Sequence, residues 1–297
     1  MKQLSNNTKG GFVLLFATII WGFAFVFQDM AGKHLGAFAI NGVRMIIGGL
    51  FLLLFLALKK DIKIDKATFM GGAISGFALF AASSFQQFGI SAYLDNQAAA
   101  GKSGFLTALY MVFVPIISFI FLKRKPSFLI IISLALAVPG MYLLCVKNGF
   151  EVHYADLILF VCAIGFTAHI LVIDRFIPFV NGVKLSALQF LVAGILGLIF
   201  MFAFESPSIT VILKDAIPIL YAGLLSSGVA YTLQIVAQKE TNPTVASVVM
   251  SLESVFAVLS GVLFGEVMSG REIVGCVLMF IAVILAQIEF KKPERER

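Results

Sequence analysis

Long apolar runs follow one another along almost the whole sequence, and they decide what this chain can fold into. Each of the ten runs is about 20 residues long, which is the length of helix that crosses roughly 30 Å of hydrocarbon. In that solvent only helices and closed barrels satisfy their own backbone hydrogen bonds, and none of the runs alternates with the period of a barrel strand. The sequence therefore predicts an all-α integral membrane protein with ten transmembrane helices.

We number the predicted spans 1 to 10 in chain order. They are Gly11–Ala31, Ala37–Leu58, Phe69–Ala92, Gly104–Leu122, Phe128–Val146, Ala155–Ile173, Leu185–Phe204, Ile217–Ala237, Thr244–Phe264 and Ile273–Ile288. The ten spans leave only short loops in a chain of 297 residues. Span 1 is too long for the core of a signal peptide and has no clear cleavage site, so we expect it to be retained.

The composition supports a chain whose solvent is largely lipid. Apolar residues make up 60% and charged residues 13% of the sequence, against roughly 45–50% and about 25% in soluble domains. These values argue against a disordered chain, a nucleic-acid-binding arm and an ordinary soluble enzyme. The three cysteines, Cys145, Cys162 and Cys276, lie inside apolar runs, so we expect neither a disulfide framework nor a metal cluster.

The basic residues indicate an orientation in the membrane. If both termini face the cytoplasm, the inner loops and tails hold 16 of the 22 Lys and Arg residues, and the outer loops hold 5. The remaining one, Arg44, lies within span 2. This bias follows the positive-inside rule. The net charge of +6 is therefore interpreted as an orientation signal, and no nucleic-acid partner is expected.

The two halves of the chain resemble each other when the sequence is shifted by 145 residues. The segment 21–29 then lies over 166–174, and both segments end in aspartate. The segment 41–49, which contains Arg44, lies over 186–194, which contains Gln189. Five spans per half is an odd number, so the halves must insert with opposite orientations. We predict two inverted five-helix repeats, residues 1–148 and 149–297, as in many secondary transporters. The alternative is that two polytopic halves share only their hydropathy.

Two charged residues lie deep within the spans, where a charge costs at least about 2.5–3.5 kcal/mol on insertion scales. Glu253 is in the middle of span 9 and has no charged neighbour on its own helix. It can bind a proton or a substrate amine, or anchor a neighbouring helix. Arg44 lies roughly 10 Å below the outer edge of span 2. It can hold a substrate carboxylate or extend outward to the interface.

Uncharged polar and aromatic residues complete the candidate substrate-binding set. His169 in span 6 suits a proton relay, or it is a neutral ring bonded to a backbone carbonyl. Trp21 and Tyr110 are the best candidates for cavity walls because each carries a donor that needs a partner. Amides on spans 1, 2, 3, 7 and 8 indicate a polar interior. The candidate substrate-binding residues are Trp21, Arg44, Gln87, Tyr110, His169, Gln234 and Glu253.

Other patterns bear on mechanism. Pro115 in span 4 and Pro139 in span 5 can each produce a kink or gate, or serve packing alone. The sequence has no phosphate-binding loop of an ATP-driven motor, no zinc-protease motif and no Ser/His/Asp pattern. We therefore expect a protein that is not an enzyme and that needs no cofactor.

One stretch resembles a known family. The segment Ser251-Leu-Glu-Ser-Val-Phe-Ala-Val-Leu-Ser-Gly-Val-Leu-Phe-Gly-Glu266 is similar to the last-but-one helix of EamA-type transporters, in the drug/metabolite transporter superfamily. The segment Gly104-Phe-Leu-Thr-Ala-Leu-Tyr-Met-Val-Phe-Val-Pro115 is similar to the equivalent helix of the first half. Two departures stand out. Ser254 occupies a position where the family often has proline, and basic residues 123–125 follow span 4 where a glutamate is expected.

The resemblance implies a ten-helix inverted-repeat fold with a central cavity and cytoplasmic termini. It also implies transport of small metabolites, often the export of amino acids or related compounds, with Glu253 and Glu266 as the family's two glutamates. We therefore expect a secondary transporter of small polar metabolites in a bacterial inner membrane, working by alternating access. Its expected partners are a small-molecule substrate, protons and the lipid bilayer, and it is expected to be a monomer or a homodimer.

Two other functions are consistent with the sequence. A lone membrane glutamate among aromatic residues suits an exporter of lipophilic cations, although an Arg44 that faces the cavity would repel them. A membrane-embedded enzyme or lipid-handling protein would need a clustered catalytic set at one interface. A sealed Glu253 with no central cavity would favour the last of these or a purely structural role.

Overall fold

The structure is a computed structural model that describes residues 6–92, 99–146, 153–263 and 267–288. Ten helical spans lie within these ranges, each long and apolar enough to cross a membrane, which confirms the predicted fold class. Glu266 and the predicted boundary between residues 148 and 149 lie outside the described residues.

Six of the spans are single α-helices, one has a short extension and three are divided. The single helices are span 1 (Asn6–Gly32), span 2 (Ala37–Leu58), span 3 (Lys66–Ser91), span 5 (Phe128–Cys145), span 7 (Gly182–Phe204) and span 10 (Gly270–Gln287). Span 6 (Tyr154–Phe176) is extended by a 3₁₀ turn, Ile177–Phe179. Span 4 consists of Ala99–Thr107 and Tyr110–Leu122, and span 9 of Pro243–Met250 and Glu253–Leu263. Span 8 runs through Ala216–Leu220, a π-helical segment Tyr221–Tyr231 and Thr232–Gln238.

Side chains cap several of these helices and set where they begin. Span 3 starts three residues earlier than predicted because the carboxylate of Asp65 accepts hydrogen bonds from the backbone N–H and hydroxyl of Thr68. Span 2 follows Gly36, which has no side chain to act as a cap. The carboxylate of Glu205, from the other half of the chain, accepts from the N–H groups of Phe38 and Ala39 instead.

The packing of the spans has a pseudo-two-fold pattern. Span 2 packs against span 7, span 4 against span 9 and span 5 against span 10. The two spans of each pair occupy equivalent places in the two halves, so the two-fold relation maps each of these contacts onto itself. The contact of span 1 with span 8 corresponds to that of span 6 with span 3, and the contact of span 1 with span 9 to that of span 6 with span 4. Because each half has five spans, equivalent spans run in opposite directions. The two halves are therefore inverted repeats.

Individual residues obey the same relation, and we call residues at equivalent positions of the two halves repeat mates. Gly194 lies against Ile46, and Gly49 lies against Leu191. Ile46 and Leu191 are 145 residues apart, as are Gly49 and Gly194, so one contact is the repeat of the other. The shift of 145 residues predicted from the sequence therefore also relates equivalent positions of spans 2 and 7 in space.

The breaks in spans 4 and 9 are also repeat mates, with a shift of 143 residues. In span 4 the N–H groups of Leu109 and Met111 donate to carbonyls three residues back, at Leu106 and Ala108. In span 9, N–H donation from residues 252 and 254 to carbonyls 249 and 251 repeats this pattern. The shift differs from 145 because connections between the spans differ in length in the two halves.

Proline does not cause either break. Pro115 lies inside the continuous helix Tyr110–Leu122, and Pro139 lies inside Phe128–Cys145. Span 9 is broken although Ser254 stands where the resembled family often has proline. The interruption of span 4 predicted at Pro115 therefore lies two turns earlier, at residues 108 and 109.

Several polar side chains of the spans point inward, and many large apolar side chains lie on the outer surface, unlike in a soluble protein. Phe77, Phe121 and Phe202 are among the exposed apolar side chains, whereas Arg44 and Gln189 are buried. This arrangement fits a fold surrounded by hydrocarbon. Loops from opposite halves are tied at both ends of the bundle, by His34 with Asp215 at one end and by Lys184 with Asp61 at the other.

Close packing of spans 2 and 7 depends on glycine. A Cβ atom on Gly197 would lie 2.6 Å from the Cα of Gly42, closer than real Cβ contacts. We predict that Gly197→Ala destabilises the protein by about 1–3 kcal/mol, because the two backbones must separate. The measurement is the thermal unfolding temperature in detergent.

Gly270→Ala is the matched control, since a Cβ at Gly270 meets nothing within 4 Å. Its unfolding temperature should equal that of the parent protein. Equal unfolding temperatures for the two variants would contradict the proposed backbone contact.

Candidate functional site

A central cavity lies between the two repeats. Spans 1, 2, 3, 4, 6, 8 and 9 contribute to its walls. The lining residues are Trp21, Phe25, Gln28, Arg44, Gln86, Tyr110, Phe166, His169, Ile170, Ser226, Tyr231, Gln234, Met250 and Glu253.

Repeat mates face each other across this cavity. Three pairs of mates lie in the lining: Trp21 and Phe166, Phe25 and Ile170, and Tyr110 and Glu253. The pseudo-two-fold axis therefore passes through the cavity, as expected for a site at a repeat interface. The mates differ in chemistry, so the two sides of the cavity are not alike.

Glu253 is the first residue after the break in span 9, at the N-terminus of the helix Glu253–Leu263. This position favours a carboxylate, because the helix dipole is positive at its N-terminal end. The hydroxyl of Tyr110 donates to Oε1 of Glu253 over 3.1 Å. In the described part of the chain, no basic side chain forms an ion pair with Glu253.

Arg44 is buried in the cavity wall with only 2% of its surface exposed. Its Nε donates to Oδ1 of Asn41, one turn earlier on span 2, over 2.9 Å. This burial rules out the alternative that the side chain extends outward to the membrane surface. Among the described residues, no carboxylate pairs with the guanidinium. Its remaining N–H groups are thus available to an anion in the cavity.

His169 is held by an amide rather than by a backbone carbonyl. Its Nε2 lies 3.0 Å from Oε1 of Gln189, and Gln189 is the repeat mate of Arg44. When Nε2 carries the proton and donates to Gln189, Nδ1 is an acceptor. Within the described residues, this buried Nδ1 has no hydrogen-bond partner. The ring centroid lies 6.0 Å from that of Tyr231.

Trp21 and Tyr231 form an aromatic wall. Their ring centroids are 4.8 Å apart in an edge-to-face arrangement. The indole N–H of Trp21 donates to the carbonyl of Ser226 over 3.4 Å, within the π-helical segment of span 8. Gln234, one helix segment further on, also lines the cavity and donates to Oε1 of Gln238. An aromatic wall beside polar groups suits a small molecule with a charged end and an apolar part.

Six of the seven candidate residues line the cavity, and Gln87 does not. The side chain of Gln87 is fully buried, with Nε2 3.5 Å from Oγ of Ser91. Its neighbour Gln86 lines the cavity instead, since consecutive helical residues point about 100° apart. Sequence reasoning did not select Phe166 and Ile170, but the repeat alignment pairs them with Trp21 and Phe25, and that pairing was a usable signal.

The cavity therefore offers one cation, one carboxyl group, an imidazole ring and an aromatic wall. In the described part of the chain, no group of three or more His, Cys, Asp or Glu residues is placed to hold a metal ion. The expected central cavity is present and Glu253 lines it, so the condition that would have favoured an embedded enzyme or a purely structural role is not met. The arrangement can bind a small molecule that carries both charges.

Comparison with known proteins agrees with this architecture. The family model described as the EamA-like transporter family matches residues 8–146 and 153–287. An uncharacterized transporter of Archaeoglobus fulgidus is 29% identical over 279 residues, which cover 93% of this chain and 84% of the relative. An uncharacterized transporter of Bacillus subtilis is 22% identical over 287 residues, covering 94% and 97%.

A solved crystal structure has the same fold. It superposes with a TM-score of 0.76 at 16% sequence identity and covers 94% of this chain and 96% of its own. The family match extends over both repeats, and the relatives are named as transporters. This chain is therefore a multi-pass membrane transporter that belongs to the EamA-like transporter family of the drug/metabolite transporter superfamily.

Proposed function

We propose that the protein is a secondary transporter of small zwitterionic metabolites, such as amino acids or related compounds. The observation that carries this proposal is the presence of Arg44 and Glu253 in one cavity without partners of opposite charge among the described residues. A substrate carboxylate would satisfy Arg44, and its ammonium group would satisfy Glu253. Each unpaired group thereby gains the counter-charge that it lacks in a medium of low dielectric constant.

Arg44 belongs to the first repeat and Glu253 to the second, so a bound zwitterion would bridge the two halves. Alternating access would then rock one repeat against the other around this site. Export is the proposed direction, in keeping with what the family resemblance implies. Protons are proposed as a second ligand, with Glu253 and His169 as the groups that can bind them.

We also propose the setting in which the protein works. The 16-to-5 distribution of basic residues supports cytoplasmic termini in a bacterial inner membrane. The proposed partners are the substrate, protons and the bilayer, without a nucleic acid or a cofactor, in a monomer or a homodimer.

The rival function is export of lipophilic cations. Glu253 and the aromatic wall suit a cation, but Arg44 lines the same cavity and would repel it. The buried guanidinium therefore supports a zwitterion over a simple cation. Ligands of both kinds can be compared directly by the stability they give to the folded protein.

The proposed orientation predicts which loops an impermeant thiol reagent reaches in intact cells. Thr210, in the short helix Ile209–Lys214 between spans 7 and 8, should be labelled when it is changed to Cys. Ile62, between spans 2 and 3, should not be labelled when it is changed to Cys. The three native cysteines are buried, which keeps the background low. If the reagent labels the Ile62→Cys variant and not the Thr210→Cys variant, the orientation is the opposite of the proposed one.

Arg44 should determine whether a ligand with a carboxylate stabilises the protein. A thermal-shift screen compares amino acids with amines that lack the carboxylate and with cationic dyes, because a ligand that binds only the folded state raises the unfolding temperature. We expect Arg44→Gln to weaken amino-acid binding about 10- to 100-fold, the equivalent of a charged hydrogen bond of about 1.5–3 kcal/mol. Arg44→Lys should recover only part of it, since lysine lacks the planar fork.

Arg124→Gln is the control, since Arg124 pairs with Asp174 at the exposed end of span 6 and lies outside the cavity lining. It should bind amino acids as the parent protein does. Stabilisation by cationic dyes, without any by amino acids, would favour the rival function.

Glu253 should contribute to the pH dependence of transport. The measurement is exchange of labelled amino acids by purified protein in liposomes, over a range of pH. In Glu253→Gln the side chain can no longer bind or release a proton, so we expect a flatter pH profile. Glu240→Gln, in the exposed loop after span 8, should keep the parent profile. A Glu253→Gln profile identical to that of the parent would remove Glu253 from proton coupling.

A further inference from the structure

The breaks of spans 4 and 9 meet inside the membrane. Tyr110 is the first residue after one break, and Glu253 is the first residue after the other. Both side chains are buried, with 4% and 8% of their surfaces exposed. The hydroxyl of Tyr110 donates to Glu253 over 3.1 Å. This hydrogen bond joins repeat mates at the same point of two inverted helices.

Each break leaves the backbone with fewer restraints than a continuous helix. Carbonyls three residues back replace the usual partners four residues back at these positions, and the geometry of such bonds is poorer. Irregular backbone at membrane depth persists only where protein buries it or a cavity adjoins it. Contacts between the two breaks must therefore supply part of the restraint. Besides the Tyr110–Glu253 bond, the hydroxyl of Ser254 lies 3.5 Å from the carbonyl oxygen of Gly104.

We propose that Tyr110 is a positioning residue whose hydrogen bond to Glu253 holds the two helix breaks together, and that the substrate's ammonium group loosens this link by competing for the Glu253 carboxylate. The first part concerns the protein alone. The second part rests on the proposed function.

The competition follows from the donors involved. An ammonium group brings three N–H donors and a positive charge to the carboxylate. Its hydrogen bond is charge-assisted on both sides and is therefore stronger than that from a neutral phenol. When the ammonium group occupies Oε1 of Glu253, Tyr110 loses its acceptor. Binding in the cavity would then release the hydrogen bond between the side chains of Tyr110 and Glu253 that joins the two breaks.

Amide hydrogen exchange on the ligand-free protein tests the first part. We expect Tyr110→Phe to speed exchange about fivefold in both breaks, at residues 106–113 and 249–256, which corresponds to a net hydrogen bond of ~1 kcal/mol. The effect on span 9 is the decisive one, because no residue of that span is changed. Tyr231→Phe is the matched control, because Tyr231 lines the same cavity; its exchange at both breaks should equal that of the parent.

Two substitutions at Glu253, the acceptor, distinguish loss of this hydrogen bond from general destabilisation of the protein. Glu253→Gln keeps an amide oxygen as acceptor and should leave exchange slow at both breaks, whereas Glu253→Leu removes the acceptor and should raise it as Tyr110→Phe does. Faster exchange confined to span 4 in Tyr110→Phe would overturn the proposal, and so would a uniform rise along the whole chain.

An equimolar mixture of the 20 standard amino acids tests the second part. It should raise exchange at both breaks of the parent protein and add nothing further in Tyr110→Phe. If a thermal shift shows that the mixture binds but hydrogen exchange at the breaks is unchanged, the proposed competition for Glu253 is wrong. If the mixture does not bind at all, the proposed function fails while the ligand-free link between the breaks still stands on its own measurement.

Discussion

A charged side chain inside a bilayer loses its hydration, and the whole arrangement of this protein depends on how that loss is limited. Arg44 and Glu253 are placed where the ten spans surround them, away from lipid. Asn41 satisfies one N–H of the guanidinium, and Tyr110 satisfies one oxygen of the carboxyl group. Neither group is neutralised by the described part of the chain. The protein therefore maintains two opposite, incompletely satisfied groups in one cavity, which is unfavourable unless a ligand completes them.

The inverted repeat explains how one short chain builds such a cavity. Some equivalent positions of the two halves meet at the pseudo-two-fold axis, so parts of the cavity wall occur twice with different side chains. Arg44 lines the cavity, whereas its mate Gln189 holds His169 from behind. Glycines allow the two halves to approach closely, since Gly42 and Gly197 bring spans 2 and 7 into backbone contact. Close packing away from the cavity thus fixes the distances within it.

The sequence was sufficient for the architecture, because the requirement to satisfy backbone hydrogen bonds in lipid leaves few alternatives to long apolar helices. It was less informative about side-chain direction. Gln86 and Gln87 are adjacent amides on one helix, and only the angular position of span 3 against its neighbours decides which of them reaches the cavity. Pro115 suggested the wrong position for the break in span 4, which lies at residues 108 and 109. The contact of Tyr110 with Glu253 joins residues 143 positions apart, and no local pattern predicts it.

The dissimilar repeat mates have a consequence for energetics. In a transporter with two identical inverted halves, the states open to either side of the membrane would be related by the two-fold axis and would have equal free energies. Here Tyr110 stands opposite Glu253, and Arg44 corresponds to Gln189, so exchanging the conformations of the halves does not reproduce the same set of contacts. Two such states would then differ in free energy, and differences at individual residues would set the size of that difference. Under the proposed alternating access, the preference of the empty protein for one side of the membrane is set by the positions at which the two halves differ.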